Sequence, residues 1–206
     1  MRKNLFLFSF FAFLSCFPMS IVSYASTYAY ISNNGDGTVS VIETSDHTVS
    51  ATITVGSEPL GVAASPDGEY VYVANNGDGT VSVISTVFNT VVAVIEAGNE
   101  PWGISASPFG GYVYTTNKSE GTVSVINASE IFTTITVGSE PLGVAVSPDG
   151  EYLYVANNGD GTVSVINASE IFTTITVGSE PLGVAVSPDG EYLYVANNGD
   201  GTVSVI

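Results

Sequence analysis

Basic residues, cysteine and histidine are scarce in this sequence. Of its 206 residues, 3 are Lys or Arg and 20 are Asp or Glu, so the formal net charge is −17. A surface with so few cations cannot neutralise several phosphates, which argues against binding to nucleic acid or to anionic lipid. One cysteine (Cys16) and one histidine (His47) are too few for a disulfide framework or for a copper, haem or thiolate metal site.

The N-terminus has the features of an export signal. The basic pair Arg2-Lys3 precedes an apolar run over residues 5–17, which is too short to span a bilayer comfortably. Ser23-Tyr24-Ala25 is a small-x-small cleavage site, so we predict a signal peptide over residues 1–25. An uncleaved anchor is the alternative, and lipidation at Cys16 is a second one. We expect a secreted, periplasmic or cell-surface protein with no membrane insertion after signal cleavage.

Internal repeats dominate the rest of the chain. One motif, Gly-Thr-Val-Ser-Val-Ile, begins at Gly37, Gly79, Gly121, Gly161 and Gly201. A second, Glu-Pro-Leu/Trp-Gly, has its proline at Pro59, Pro101, Pro141 and Pro181. Successive copies are 40 or 42 residues apart, and residues 127–166 and 167–206 are identical at every position. This period and this regularity indicate a repeat architecture.

Each repeat contains four strand-like runs, which we name A to D. In one repeat they cover residues 142–147, 152–157, 162–166 and 171–177, with turn-forming sequences between them. Because the strands are apolar on both faces, each sheet must be covered on both sides. We therefore predict an all-β fold, a β-propeller of four-stranded antiparallel blades with essentially no helix. A linear β-solenoid is the alternative.

The repeat boundaries give about five partial or whole blades within residues 26–206. The segments are 27–55 (strands B, C and D), 59–97, 101–137 and 141–177 (complete blades), and 181–206 (strands A, B and C). We expect an incomplete or open ring. The two explanations are a truncated gene product and a chain whose five partial or whole blades form an open arc. Unpaired edges and apolar blade faces would then favour self-association.

The sequence of strand B resembles a known repeat family. It reads Tyr-Val-Ala-Asn at 72–75, 154–157 and 194–197, and Tyr-Thr-Thr-Asn at 114–117. With Ser-Pro-Asp-Gly before it and Gly-Thr-Val-Ser-Val-Ile after it, this pattern resembles the YVTN family of β-propeller repeats over residues 27–206. The resemblance implies a secreted or surface-layer-associated protein. WD40 repeats are disfavoured, because the only tryptophan, Trp102, is followed by glycine rather than aspartate.

Strand directions place the D–A and B–C loops on one face of the predicted propeller. That face collects Glu58, Glu100, Glu140, Glu180, Asp78, Asp160 and Trp102. A ring of carboxylates around an apolar throat is a candidate site for a cation or for a protein or glycan partner. The alternative is that repeated turns simply repeat their charge. Calcium is the candidate ion, but one carboxylate per loop favours a plain hairpin turn, and we expect no cofactor.

The same residues favour a non-enzymatic interaction or structural scaffold, with no catalytic residue. Repetition suggests that the glutamates are equivalent, whereas acid–base catalysis needs carboxylates in different environments. Once the signal is removed, no arginine remains to bind a phosphosugar, and His47 is expected in solvent on the opposite face. The alternative is a periplasmic propeller enzyme of lactonase-like or other hydrolase type.

Overall fold

The computed structural model describes residues 27–127, 130–167 and 170–206. The predicted signal peptide lies outside these residues. The described residues form five antiparallel sheets in which strands that follow one another in the sequence pair side by side. Two short 3-10 turns, Asn34–Asp36 and Lys118–Glu120, are the only helical segments of the described residues. Accordingly, no described helix is long and apolar enough to cross a membrane.

The strands of the five sheets, which we call blades 1 to 5, are as follows. Blade 1 holds β1 (Tyr28–Asn33), β2 (Thr38–Glu43) and β3 (Thr48–Thr54); blade 2 holds β4 (Pro59–Ala64), β5 (Tyr70–Asn75), β6 (Thr80–Ser85) and β7 (Thr90–Glu96). Blade 3 holds β8 (Pro101–Ala106), β9 (Val113–Asn117), β10 (Thr122–Asn127) and β11 (Glu130–Thr136). Blade 4 holds β12 (Pro141–Val146), β13 (Tyr152–Asn157), β14 (Thr162–Asn167) and β15 (Glu170–Thr176); blade 5 holds β16 (Pro181–Val186), β17 (Leu193–Asn197) and β18 (Thr202–Val205).

The turn between strands A and B is built by its own side chains. In blade 2 the Asp67 carboxylate accepts hydrogen bonds from the Ser65 hydroxyl and from the Glu69 backbone N–H. The Ser65 hydroxyl oxygen in turn accepts the Tyr70 N–H. Gly68 has φ +72°, a left-handed conformation that glycine adopts at little cost. The sequence Ser-Pro-Asp-Gly therefore specifies this hairpin locally.

The hydrophobic core lies between neighbouring blades. One apolar cluster joins blades 3 and 4 and contains Val123 and Val125 of strand β10 with Leu153 and Val155 of strand β13. Similar clusters join the other three pairs of neighbours. Both faces of blades 2, 3 and 4 are therefore covered, as the two-sided apolar pattern predicts.

The A strands are innermost and approach one another closely. Strand β8 contacts both β4 and β12, and β12 contacts β16. A Cβ atom on Gly103 would lie 2.3 Å from the Leu142 carbonyl oxygen of the next blade, and one on Gly143 would lie 2.3 Å from that of Leu182. Only glycine permits this approach, which explains the glycine of the Glu-Pro-Leu/Trp-Gly motif.

These features confirm the predicted fold class. The described residues form an open arc of five partial or whole blades of antiparallel strands rather than a closed ring. In blade 4 the observed strands differ from the predicted ones by at most one residue at either end. The outermost strand begins at Glu170 rather than Ile171 because Glu170 pairs with Asn167, after a bulge at Val165 and Ile166.

Candidate functional site

The D–A and B–C loops pack against each other on one face of the arc, as the strand directions predict. In blade 2 the Ser57 N–H donates to the Asp78 carboxylate at 2.6 Å, and the Gly56 N–H donates to the Asn75 side-chain oxygen at 3.2 Å. The Asp160 and Asp200 carboxylates accept the same bond from Ser139 and Ser179 at 2.6 Å. These aspartates hold the two loops together, so one carboxylate oxygen of each is already bonded to the adjacent D–A loop.

The four glutamates of this face share an unusual backbone conformation. The φ angles of Glu58, Glu100, Glu140 and Glu180 are +50°, +55°, +48° and +51°. A left-handed non-glycine residue costs about 1–2 kcal/mol. The conformation is retained because each glutamate carbonyl accepts a backbone hydrogen bond from the B–C loop, for example from Asn76 to Glu58 at 3.1 Å. All four side chains are exposed to solvent.

Blade 3 departs from the repeat at the centre of this face. Where blades 2 and 4 have Asn-Gly-Asp, its B–C loop has Lys118-Ser119-Glu120. Glu120 takes over the aspartate's position and accepts the Asn99 N–H at 3.2 Å. Asn76 and Asn158 donate to the carbonyls of Pro101 and Pro181 in the next blade at 3.2 Å. Lys118 stands at the position of that asparagine and contacts the Glu140 side chain instead of a backbone carbonyl.

The new side chains organise two of the predicted glutamates differently. The Ser119 hydroxyl donates to the Glu100 carboxylate at 2.6 Å. The Lys118 ammonium lies 3.8 Å from the Glu140 carboxylate and 6.0 Å from the centroid of the Trp102 ring. The Ser119 hydroxyl thus orients the Glu100 carboxylate, and the Lys118 ammonium forms an ion pair with the Glu140 carboxylate. The expectation that repetition makes the glutamates equivalent is wrong for these two.

A groove joins these residues. It has a volume of about 590 Å³ and is lined by Glu100, Lys118, Ser119, Glu120, Ser139 and Glu140, among others. The corresponding groove between blades 4 and 5 measures about 490 Å³ and is lined by Glu140, Asn158, Asp160 and Glu180. That second groove contains no basic residue. Of these two grooves, only the groove at blade 3 combines carboxylates, a hydroxyl and an ammonium group.

The loop beside this groove also leaves a buried polar atom without a partner. Gly98, with φ +147°, directs its N–H to the Gly79 carbonyl at 3.3 Å. The side-chain oxygen of Asn117, which is fully buried, therefore lacks the hydrogen bond that Asn75 receives. Asn197 in blade 5 has the same unpaired oxygen. In blades 2 and 4, by contrast, the corresponding asparagine oxygen accepts a backbone N–H from the D–A loop.

Sequence reasoning selected only part of this groove. It picked Glu100 and Glu140, which line the groove, and Trp102, which is not among the lining residues but lies 6.0 Å from the Lys118 ammonium. The other chosen residues lie elsewhere on the face: Glu58 and Asp78 in blade 2, Asp160 in blade 4, and Glu180, which accepts a bond from Asn198, in blade 5. Lys118, Ser119 and Glu120 were missed. Their signal was the departure of one copy from an otherwise regular repeat.

Comparison with known families defines the class of protein. Residues 132–206 match the family model described as "Lactonase, 7-bladed beta-propeller", which agrees with the arc of four-stranded blades. Residues 24–141, more than half of the chain, match the model of the cytochrome D1 heme domain. The chain belongs to the cytochrome D1 heme domain family. No curated protein matches it.

Solved structures show the same fold. A protein of unknown function from Desulfotomaculum acetoxidans superposes with a TM-score of 0.75 at 20% identity, covering 86% of this chain and 64% of its own. A protein from Bacteroides uniformis described as a 6-phosphogluconolactonase gives 0.76 at 20% identity, covering 89% and 64%. Hydrazine synthase from Kuenenia stuttgartiensis gives 0.53 at 16% identity, covering 87% and 92%. The chain thus spans about two thirds of the first two proteins.

These matches correct the functional interpretation of the sequence. The predictions of a non-enzymatic scaffold and of no enzymatic activity are wrong, because the lactonase family match over residues 132–206 points to a propeller enzyme. The alternative interpretation, a hydrolase of lactonase type, is the better one. The matches support a propeller family but do not confirm the YVTN type, which stays a prediction.

The described residues do not fit the haem that the family name implies. His47 is exposed in the turn between β2 and β3, away from the B–C loops. Burial raises the pKa of Tyr72 and of Tyr114, which disfavours the tyrosinate form that iron would require. Lys118 is the one basic residue of the described part that could meet a propionate, and it already contacts Glu140. We therefore assign no haem chemistry to this chain.

Proposed function

We propose that this protein is a hydrolase that opens the ring of uncharged sugar lactones in the groove at blade 3. The observation that carries the proposal is the pairing of Ser119 with Glu100 and of Lys118 with Glu140, where one repeat departs from the others. The lactonase family match over residues 132–206, which includes Glu140, supports the choice of reaction. The groove volume of about 590 Å³ is ample for a monosaccharide lactone.

The proposed chemistry uses a water molecule as the nucleophile. The Glu100 carboxylate, aligned by the Ser119 hydroxyl at 2.6 Å, accepts a proton as the water attacks the lactone carbonyl carbon. The Lys118 ammonium stabilises the negative charge that develops on the carbonyl oxygen. When the ring C–O bond breaks, the leaving ring oxygen takes the proton from Glu100. The product is an open-chain hydroxy acid, and Glu100 is returned to its ionised form.

The charge of the groove selects the substrate. Three carboxylates, Glu100, Glu120 and Glu140, line the groove with a single ammonium group, that of Lys118. A phosphate dianion needs a cluster of cations or a bidentate arginine, so this groove disfavours a phosphorylated lactone. The neutral lactone is not repelled, whereas the hydroxy acid that it forms is an anion. Repulsion by the acidic surface therefore favours product release.

Hydrolysis of glucono-1,5-lactone, followed by pH-stat titration above its spontaneous rate, tests the proposal. We expect Glu100→Gln to lower kcat/KM by about 100-fold, within the range of general base catalysis. Lys118→Met should lower it by about 10-fold or more. The control is Glu96→Gln, an exposed carboxylate at the end of β7, which should retain the parent rate. Absence of catalysis by the parent, or full activity of Glu100→Gln, would contradict the proposal.

Ser119 is a positioning residue in this scheme rather than the nucleophile. Ser119→Ala should lower kcat by about 10-fold and leave KM nearly unchanged, since the hydroxyl aligns Glu100 without binding the substrate. Ser119→Thr keeps the hydroxyl and should restore most of the activity. Complete loss in both variants, or a covalent acyl-enzyme trapped on the parent, would identify Ser119 as the nucleophile and overturn this step.

We also propose that the enzyme acts outside the cytoplasm. The basic pair at residues 2–3, the apolar run over 5–17 and the small-x-small site at 23–25 support export by a cleaved signal. N-terminal sequencing of the protein recovered from the producing cell's periplasm or medium tests this. A mature chain starting near Ser26 supports it, and an intact Met1 in the cytoplasmic fraction contradicts it.

A further inference from the structure

Three similar grooves lie between neighbouring blades on the face opposite the proposed active site, where the A–B loops emerge. The groove between blades 2 and 3 has a volume of about 560 Å³. The grooves between blades 3 and 4 and between blades 4 and 5 measure about 250 and 320 Å³. The repeats that form them are closely related in sequence, so the extra space must come from particular substitutions.

A phenylalanine reduces each of the two smaller grooves. Phe132 of β11 lines the first and packs against Tyr112, with ring centroids 5.5 Å apart. Phe172 of β15 lines the second and packs against Tyr152 at 6.1 Å. The equivalent residue of β7 in blade 2 is Val92, which lines the large groove. Valine leaves the volume of a phenyl ring unfilled.

A second substitution widens the same groove from its other side. Glu151 and Glu191, in the A–B loops of blades 4 and 5, line the two smaller grooves. Gly111 stands at the equivalent position of blade 3 and lines the large one. The same loop also has Phe109 where blade 4 has Asp149, which adds an exposed ring to the rim. Two bulky side chains are thus absent here, and one aromatic ring is gained.

The walls of the large groove are aromatic and its charge is negative. Tyr70, Tyr72, Phe109 and Tyr112 line it together with the Asp67 carboxylate, and no Lys, Arg or His is among its lining residues. Hydrogen bonds from the Ser65 hydroxyl and the Glu69 N–H lower the pKa of Asp67, which keeps it ionised. Burial, and then the charge of Asp67, raise the pKa of Tyr72, so the field of this carboxylate extends into the groove.

We propose that the groove between blades 2 and 3 is a binding site for a small planar organic cation. Aromatic faces attract cations that are partly removed from water, and a flat ring stacks on tyrosine and phenylalanine. The Asp67 carboxylate and the net charge of −17 add attraction for a cation and repel an anion. The site lies on the other face from Glu100, so it is independent of the proposed hydrolysis.

Titration with berberine, a planar quaternary ammonium dye whose fluorescence rises in apolar surroundings, tests the site on the full chain. We expect Val92→Phe to weaken berberine binding by at least about 10-fold, because it restores the ring that reduces the neighbouring grooves. Val92 is exposed, so this variant should melt within a few degrees of the parent. Val92→Ala keeps the groove open and should bind as the parent does.

Charge and location are tested separately. Asp67→Asn can still accept the hydrogen bonds of its turn, and it should weaken berberine binding several-fold while leaving binding of the neutral dye Nile red unchanged. The single change Phe132→Val, which keeps the Glu151 carboxylate of the groove between blades 3 and 4, should create a second berberine site there. Berberine binding that is unaffected by Val92→Phe would place the dye elsewhere and overturn the proposal. Equal binding of the anionic dye anilinonaphthalene sulfonate would overturn its charge selectivity.

Discussion

Residues 127–166 and 167–206 have the same sequence but different surroundings. Their strands pair in the same register: Tyr154 pairs with Val165, and Tyr194 pairs with Val205, 40 residues later in each case. Yet Val163 is 0% exposed and Val203 is 60% exposed, while Leu142 is 4% and Leu182 37% exposed. Local sequence therefore determines the strands and turns of a blade, and the neighbouring blade determines which of its side chains are buried.

The largest expected contrast is between Val163→Asp and Val203→Asp. A carboxylate at Val163 would lie unpaired inside the cluster with Leu193 and Val195, which we expect to cost about 4 kcal/mol or more. At Val203 the same change should alter the free energy of unfolding by less than about 0.5 kcal/mol. Urea denaturation measures both.

If Val163→Asp does not fold, the milder pair Val163→Ala and Val203→Ala keeps the contrast measurable. We expect a loss of about 2 kcal/mol at Val163 and almost none at Val203. Equal losses at the two positions would mean that the outer face of blade 5 is covered in solution, and the burial contrast would no longer hold.

A second contrast concerns the inner strands, through Gly143→Ala and Gly183→Ala. A Cβ on Gly143 meets the Leu182 carbonyl oxygen at 2.3 Å, whereas one on Gly183 meets nothing within 4 Å. We expect Gly143→Ala to destabilise by about 1–3 kcal/mol, because the two backbones must separate. Gly183→Ala should be neutral or slightly stabilising, since alanine restricts the unfolded chain. A thermal melt of both variants shows the difference, and similar melting temperatures would refute the close approach.

A smaller contrast is expected at the buried asparagines. Asn157 and Asn197 each donate to a threonine and a serine of strand C. The Asn157 side-chain oxygen also accepts the Gly138 N–H at 3.1 Å, whereas that of Asn197 has no partner. Asn157→Ala should therefore cost about 1 kcal/mol more than Asn197→Ala in chemical denaturation. The reverse order would show that the Gly138 bond contributes nothing.

The contrast between the copies also explains what the sequence could predict. The strands, the turns and the shared face of the B–C and D–A loops follow from patterns that recur in every repeat. The candidate groove depends instead on Lys118 and Ser119, residues present in one copy only. Glu100 and Glu180 stand in the same Glu-Pro motif, so the common pattern predicts the same surroundings for both. The motif does not show that the partner in the B–C loop is Ser119 for Glu100 and Asn198 for Glu180. Single-copy departures, such as Val92 and Gly111, are where a regular fold becomes specific.

The smallest expected effect should be the same in both copies, at Asp149 and Asp189. Each carboxylate accepts bonds from the serine hydroxyl and the backbone of its own turn, and these bonds lower its pKa. A lowered folded-state pKa stabilises the protein above the unfolded value of about 4, and this stabilisation is lost as the pH falls through the folded value. Asp149→Asn and Asp189→Asn should therefore each reduce the melting temperature slightly at pH 7, and the gap to the parent should narrow as the pH falls below about 4.

Equality is the informative outcome of that experiment. All the bonds that hold Asp149 and Asp189 lie within their own turns, from the serine two residues before to the backbone N–H two residues after. If the two variants lose the same few degrees, the turn is specified by its own sequence, in contrast to the burial of Val163 and Val203. If Asp149→Asn loses clearly more, contact with blade 3, whose Phe109 ring lies next to Gly150, supports the turn as well. The turns would then depend on the neighbouring blade as well, as the burial of Val163 and Val203 does.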